Sequence, residues 1–176
     1  GPAPPTVAAG AVEPLFDYFS AEVLSGIAPE TLEILLQSAW LPRMPAALLA
    51  RQCEDPKAAA RIAELCRLNY FTSRTVGPRP AYEYHPLFRD CLLRRARECW
   101  PPERLDAVRR RAARLLIEDH QDEDALELLV ELEDWGQVAA LLATQAATWL
   151  AEGRTRLIES ALEAMPDSEI GARPWL

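Results

Sequence analysis

His85 is the residue whose chemistry is easiest to place from its neighbours, because Pro86 follows it and a helical apolar pattern begins there. Proline biases the preceding residue toward extended backbone and itself suits the first helical position. His85 should therefore sit like a cap at the mouth of a helix, where the helix N-terminus favours anions. A purely structural role fits the same spacing, with the ring filling a gap beside Tyr82 and Tyr84 and bonding a backbone carbonyl.

Other chemistries find little support. A phosphate-cradling loop needs glycines followed at once by a lysine, but the only lysine, Lys57, follows Asp55 and Pro56 with no glycine near it. Hydrolysis of a nucleotide by this chain is excluded on that inventory, and nucleophile-elbow and zincin patterns are also missing. The acidic run after Glu118 offers carboxylates without a histidine or apolar pocket pattern to tune them. No enzyme activity is expected. Cys53, Cys66, Cys91 and Cys99 form no Cys-x-x-Cys pair and lie in apolar helical patterns, so they read as buried thiols. No metal or other cofactor is expected in the chain itself.

The elements that must position His85 are legible in the periodicity. Leu15, Phe16, Phe19, Val23 and Leu24 mark one amphipathic helix over 14–25. Pro29 opens a second, with Leu32, Leu35, Leu36 and Ala39 inward; Pro45 opens a third through Leu48 and Leu49; Ile62, Leu65 and Cys66 mark a fourth. From Asn69 the period changes. Residues 70–76 and 81–84 read as a β-hairpin joined by the turn Gly77-Pro78-Arg79-Pro80. A helix with Leu87, Phe88, Cys91 and Leu92 inward follows, and helices are expected at about 103–118, 123–131, 134–150 and 154–165. Trp135, Val138, Leu142 and Trp149 share one face of the third of these and read as repeat core.

The expected fold class is mainly α: a winged-helix domain with a β-hairpin wing, followed by α-helical hairpins of a TPR-like solenoid. Residues 1–11 read as a tag scar, Gly1-Pro2, and a disordered Pro/Ala-rich lead. Residues 12–100 form the winged-helix domain, and 101–176 form a helical linker and the first, truncated TPR-like repeats. An array cut there would expose Leu157, Leu162 and Trp175 and favour self-association.

The chain has 176 residues, 49% of them hydrophobic, enough for one large or two small cores, and a net charge of -8. No window reaches the apolar run of about 20 residues that a membrane span needs, and no signal peptide opens the chain, so a cytoplasmic protein is expected. The charge is uneven. Arg89, Arg94, Arg95, Arg97, Arg104, Arg109, Arg110, Arg111 and Arg114 crowd one stretch, whereas 118–134 is acidic and holds neither Lys nor Arg. Two readings are open: helix surfaces attracting one another, or docking onto other domains through residues such as Arg89, Arg94 and Arg95.

Tyr84-His85-Pro86-Leu87-Phe88, followed by Leu92 and Leu93, resembles the Tyr-His-x-Leu-Phe segment of the STAND signalling ATPases, in the maltose-regulator branch of the LuxR-type transcription activators. The string from Leu15 to Leu24 is similar to the helix before that family's winged helix, and Leu68-Asn69-Tyr70-Phe71 to the segment entering its wing. Residues 125–129 and 139–142 resemble its first sensor repeats. The chain departs in its Pro-rich wing turn and in Leu126-Glu127-Leu128. The resemblance implies a non-catalytic relay in a larger ATPase, in which His85 senses the phosphate of bound ADP. It also implies ADP or ATP with Mg on an upstream nucleotide-binding domain, an inducer on a downstream superhelix, self-oligomerisation on activation, and DNA contact only through a separate output domain. Two other readings compete: a winged-helix DNA-binding domain using Ala58 to Arg67 and the wing residues Arg74 and Arg79, or a TPR-like protein-interaction scaffold.

Overall fold

A computed structural model describes Leu24 and residues 26–172. The helix expected over 14–25 lies outside the described residues, apart from Leu24, which is helical and buried. The chain divides after Pro101 into two units.

In the first unit, helix α1 (Pro29–Ser38) begins with Pro29 in its first turn and buries Ile34, Leu35, Leu36 and Ser38. Strand β1 (Met44–Pro45) and helix α2 (Ala46–Gln52) follow, then α3 (Ala58–Arg67), which buries Ala58, Ile62 and Leu65. Strands β2 (Thr72–Arg74) and β3 (Ala81–Tyr84) form the wing, and α4 (Pro86–Cys99) completes the unit. The sheet is antiparallel with order β1-β3-β2, so β3 is central. Pairing sets Met44 opposite Tyr82 and Thr72 opposite Tyr84.

The sequence suggested a two-stranded hairpin and a helix starting at Pro45. The structure adds a third strand and starts the helix at Ala46. Two residues are too few to show a period of two, and proline is tolerated because β1 is an edge strand. The wing turn is closed by Thr75, whose backbone N–H donates to the Ala81 carbonyl at 2.8 Å and whose Oγ1 accepts from the Ala81 N–H at 3.0 Å.

The second unit is a run of antiparallel helices: α5 (Pro102–Glu118), α6 (Asp122–Glu131), α7 (Trp135–Ala151), α8 (Thr155–Ala164) and the short α9 (Asp167–Gly171). Successive members pack from α5 through α8, and α6 also meets α8. Leu115, Leu116, Leu126, Leu129, Val138, Leu142 and Trp149 are buried, whereas Trp135 is half-buried at the start of α7. The three joints from α5 to α8 each use one left-handed residue: His120 (φ 60), Glu133 (φ 53) and Gly153 (φ 76). The next residue in each case donates back five positions, Gln121 to Leu116, Asp134 to Leu129 and Arg154 to Trp149, which satisfies carbonyls that the helix end leaves open. His120 thus has a turn position.

The thiols divide by environment. Cys53 and Cys91 are buried, but Cys66 is only half-buried and Cys99 is exposed, which corrects the reading of all four as buried. Cys99 is the last residue of α4, beyond the buried residues Phe88, Cys91, Leu92 and Ala96.

Candidate functional site

The junction between β3 and α4 carries the chemistry-bearing residues. Side chains alternate along a strand, and Tyr84 points into the core while His85 is exposed. His85 has φ -56 and ψ 135 and occupies the N-cap position of α4, with Pro86 in the first helical turn. Its backbone is held at both ends. The His85 N–H donates to the Phe71 carbonyl at 2.7 Å, extending the β2–β3 ladder by one residue, and its carbonyl accepts from the Arg89 N–H at 2.9 Å. Its imidazole does not cap the helix backbone.

His85 lines an open hollow of about 400 Å³ with Asn69, Phe71, Thr72, Ser73, Glu83, Tyr84 and Pro86. One wall is backbone in unusual geometry: Asn69 (φ 56) and Phe71 (φ 46) are both left-handed. For a bulky residue such as Phe71 this costs on the order of 1–3 kcal/mol and persists only where surroundings impose it. Here the Phe71 ring packs on Phe88 with centroids 5.4 Å apart, and its carbonyl receives His85. Among the described residues Glu83 is the only acid lining the hollow, and its carboxylate lies 3.4 Å from Arg43 Nε, which offsets its charge.

Behind His85 the support is buried. The Tyr84 hydroxyl and Ser38 Oγ share a hydrogen bond of 2.7 Å, and Ser38 Oγ also donates to the Ile34 carbonyl at 2.6 Å. Burial pushes the Tyr84 phenol far above the ordinary tyrosine range, against the opposing effect of the Ser38 hydrogen bond, so it stays neutral. The Tyr84 ring meets Phe88 edge-on at 5.7 Å. Sequence reading did not single out Ser38, since a serine in an apolar stripe carries no sign of its distant partner.

The arginines proposed for docking separate. Arg89 Nε donates to the Ala39 carbonyl at 2.8 Å, closing the end of α1, and Arg97 stacks over the Trp40 ring at 5.3 Å. Arg94 and Arg95 are exposed on α4. In the second unit the opposed charge stretches are joined by ion pairs, Arg109 to Glu131 at 2.6 Å and Arg110 to Asp134 at 3.3 Å. Asp122, Glu123 and Asp124 fill the first turn of α6, where the helix dipole favours negative charge.

The helix that would read DNA is poorly equipped. On α3, Arg67 forms a forked pair with Glu64 at 2.7 and 2.6 Å, and Arg61 donates to Thr31 Oγ1 at 3.3 Å. Among the described residues no group of three His, Cys, Asp or Glu is placed to hold a metal, and no helix is long and apolar enough to cross a membrane.

Three helices, a short strand and a two-stranded wing, closed by a further helix, define the first unit as a winged-helix domain. Residues 20–104, just under half of the chain, match the family described as the MalT winged helix domain. Among curated proteins, the chain is 28% identical over 162 residues to the HTH-type transcriptional regulator MalT of Cronobacter sakazakii (strain ATCC BAA-894). That alignment covers 92% of this chain and 18% of the relative, so the chain spans less than a fifth of the relative's length.

Proposed function

We propose that the chain is the non-catalytic relay segment of a STAND-class signal-transduction ATPase that regulates transcription in the cytoplasm. In this reading the winged helix responds to the nucleotide state of an upstream domain in the same polypeptide. The helical hairpins of the second unit begin the superhelix that receives an inducer, activation brings self-oligomerisation, and DNA is bound through a separate output domain. The single observation that carries the proposal is the exposed His85 at the N-cap of the 14-residue helix α4, with its backbone fixed by Phe71.

Such a position suits an anion, because the helix N-terminus presents unpaired N–H groups and positive potential. ADP, with Mg on the upstream domain, would supply a β-phosphate as that anion. His85 would donate to it, and Arg43 would moderate the Glu83 carboxylate on the rim of the hollow. Exposed Arg94 and Arg95 on α4 would face the neighbouring domain.

A charge-assisted contact of this kind contributes roughly 1.5 to 3 kcal/mol. Its loss moves a closed-to-open equilibrium by about one to two decades, at 1.4 kcal/mol per tenfold. The His85→Ala variant of the full-length regulator is expected to release ADP faster and to act without inducer, while this chain stays folded. Wild-type ADP retention with full inducer dependence would refute the sensor role.

A further inference from the structure

We infer that Ser38, Tyr84 and Arg89 are positioning residues for His85, clamping the β3–α4 junction to the C-terminal end of α1 from both flanks. The residue before His85, Tyr84, reaches Ser38 at 2.7 Å, and the residue four positions after it, Arg89, reaches the Ala39 carbonyl at 2.8 Å. Two consecutive residues at the end of one helix therefore hold both sides of a single exposed histidine. The importance of this clamp for nucleotide retention rests on the sensor role proposed above, but its effect on His85 geometry does not.

The direction of the His85 Cα–Cβ bond is set by its backbone, φ -56 and ψ 135. The Phe71 carbonyl fixes its N–H and the Arg89 N–H holds its carbonyl, but neither bond ties the junction to α1. The buried Tyr84 hydroxyl fixes the strand side, with Phe88 against the ring, and the Arg89 guanidinium fixes the first turn of α4. Three attachments on different sides define an orientation where one does not. Preorganised groups of this kind are held by the hydrogen bonds of the residues behind them.

The same attachments make α1 the element whose displacement would turn His85. Ser38 Oγ is anchored to its own helix through the Ile34 carbonyl, so a shift of the end of α1 is passed to Tyr84 without slack. Arg89 passes the same shift to α4 through Ala39.

The chain contains two histidines, His85 and His120, and they report separately. His120 lies at the joint between α5 and α6, in the other unit, and serves as an internal control. Imidazole carbon–proton correlations of the ¹³C-labelled chain are compared for wild type, Tyr84→Phe, Arg89→Met and Arg89→Lys. Tyr84→Phe keeps the ring against Phe88 and removes only the hydroxyl, and Arg89→Met keeps the apolar stem and removes the donor. In both, the His85 signals should move toward those of an unstructured histidine while the His120 signals stay in place. Arg89→Lys, which can still donate to Ala39, should recover most of the wild-type position. Unmoved His85 signals in Tyr84→Phe and Arg89→Met, or an equal movement at His120, would overturn the inference.

In the full-length regulator, Tyr84→Phe and Arg89→Met should release ADP faster than wild type and more slowly than His85→Ala. If His85→Ala releases ADP readily while these two retain it like wild type, the clamp is wrong and the sensor role stands. If His85→Ala itself retains ADP, the sensor role fails and the imidazole spectra alone decide the clamp.

Discussion

Arg109 of α5 reaches across to Glu131 at the end of α6 with an Nη2–Oε2 distance of 2.6 Å, and only 13% of its side chain is exposed against 51% for Glu131. The pair joins the arginine-rich stretch to the acidic one within a single unit. Arg110 repeats the link one residue on, to Asp134, which also caps α7 by accepting from the Gln137 N–H at 3.3 Å. Arg109 and Arg110 thus hold neighbouring helices together, whereas Arg94, Arg95 and Arg97 are exposed on α4.

For Glu131→Gln the expected loss is small, about 0.2–1 kcal/mol, because a half-exposed partner is well screened by solvent. The loss should shrink further in concentrated salt. Urea melts of both proteins at low and high ionic strength measure it, and a loss of several kcal/mol that ignores salt would show a buried network instead.

Leu126→Ala tests the second unit's core. Leu126 is almost fully buried on α6, the helix that contacts α5, α7 and α8. Truncation leaves a cavity in the core that α6 shares with its neighbours, at a cost of about 2–5 kcal/mol. Thermal unfolding followed by circular dichroism should show the loss, and a shift no larger than that of a surface substitution would contradict the packing described.

Selection from a random-sequence duplex pool at physiological salt should enrich no motif with this chain. Sequence reading in the major groove requires free donors on α3, whereas Arg67 is paired to Glu64 and Arg61 to Thr31. The chain's net charge of -8 also opposes nonspecific attraction to phosphates. A discrete enriched motif, lost on Arg61→Ala, would favour the DNA-binding reading.

The sequence by itself determined the helices, because local patterns carry them. Pro29 and Pro86 start α1 and α4, periodic leucines mark the inward faces, and the boundaries expected for α5 through α8 fall within one or two residues of those found. It also placed His85 at a helix mouth, since Pro86 constrains the backbone on both its sides. Only the tertiary structure decided what surrounds that histidine. The third strand is two residues long, too short to show a pattern, and its pairing with β3 comes from the packing of elements far apart in sequence. Ser38 and Tyr84 are 46 positions apart, and Arg89 lies 50 from Ala39. No local rule links them, because a hydrogen bond between distant residues exists only once the chain between them has folded. The same reason separates the cysteines, which all lie in apolar helical patterns in sequence but differ in burial once the chain has folded.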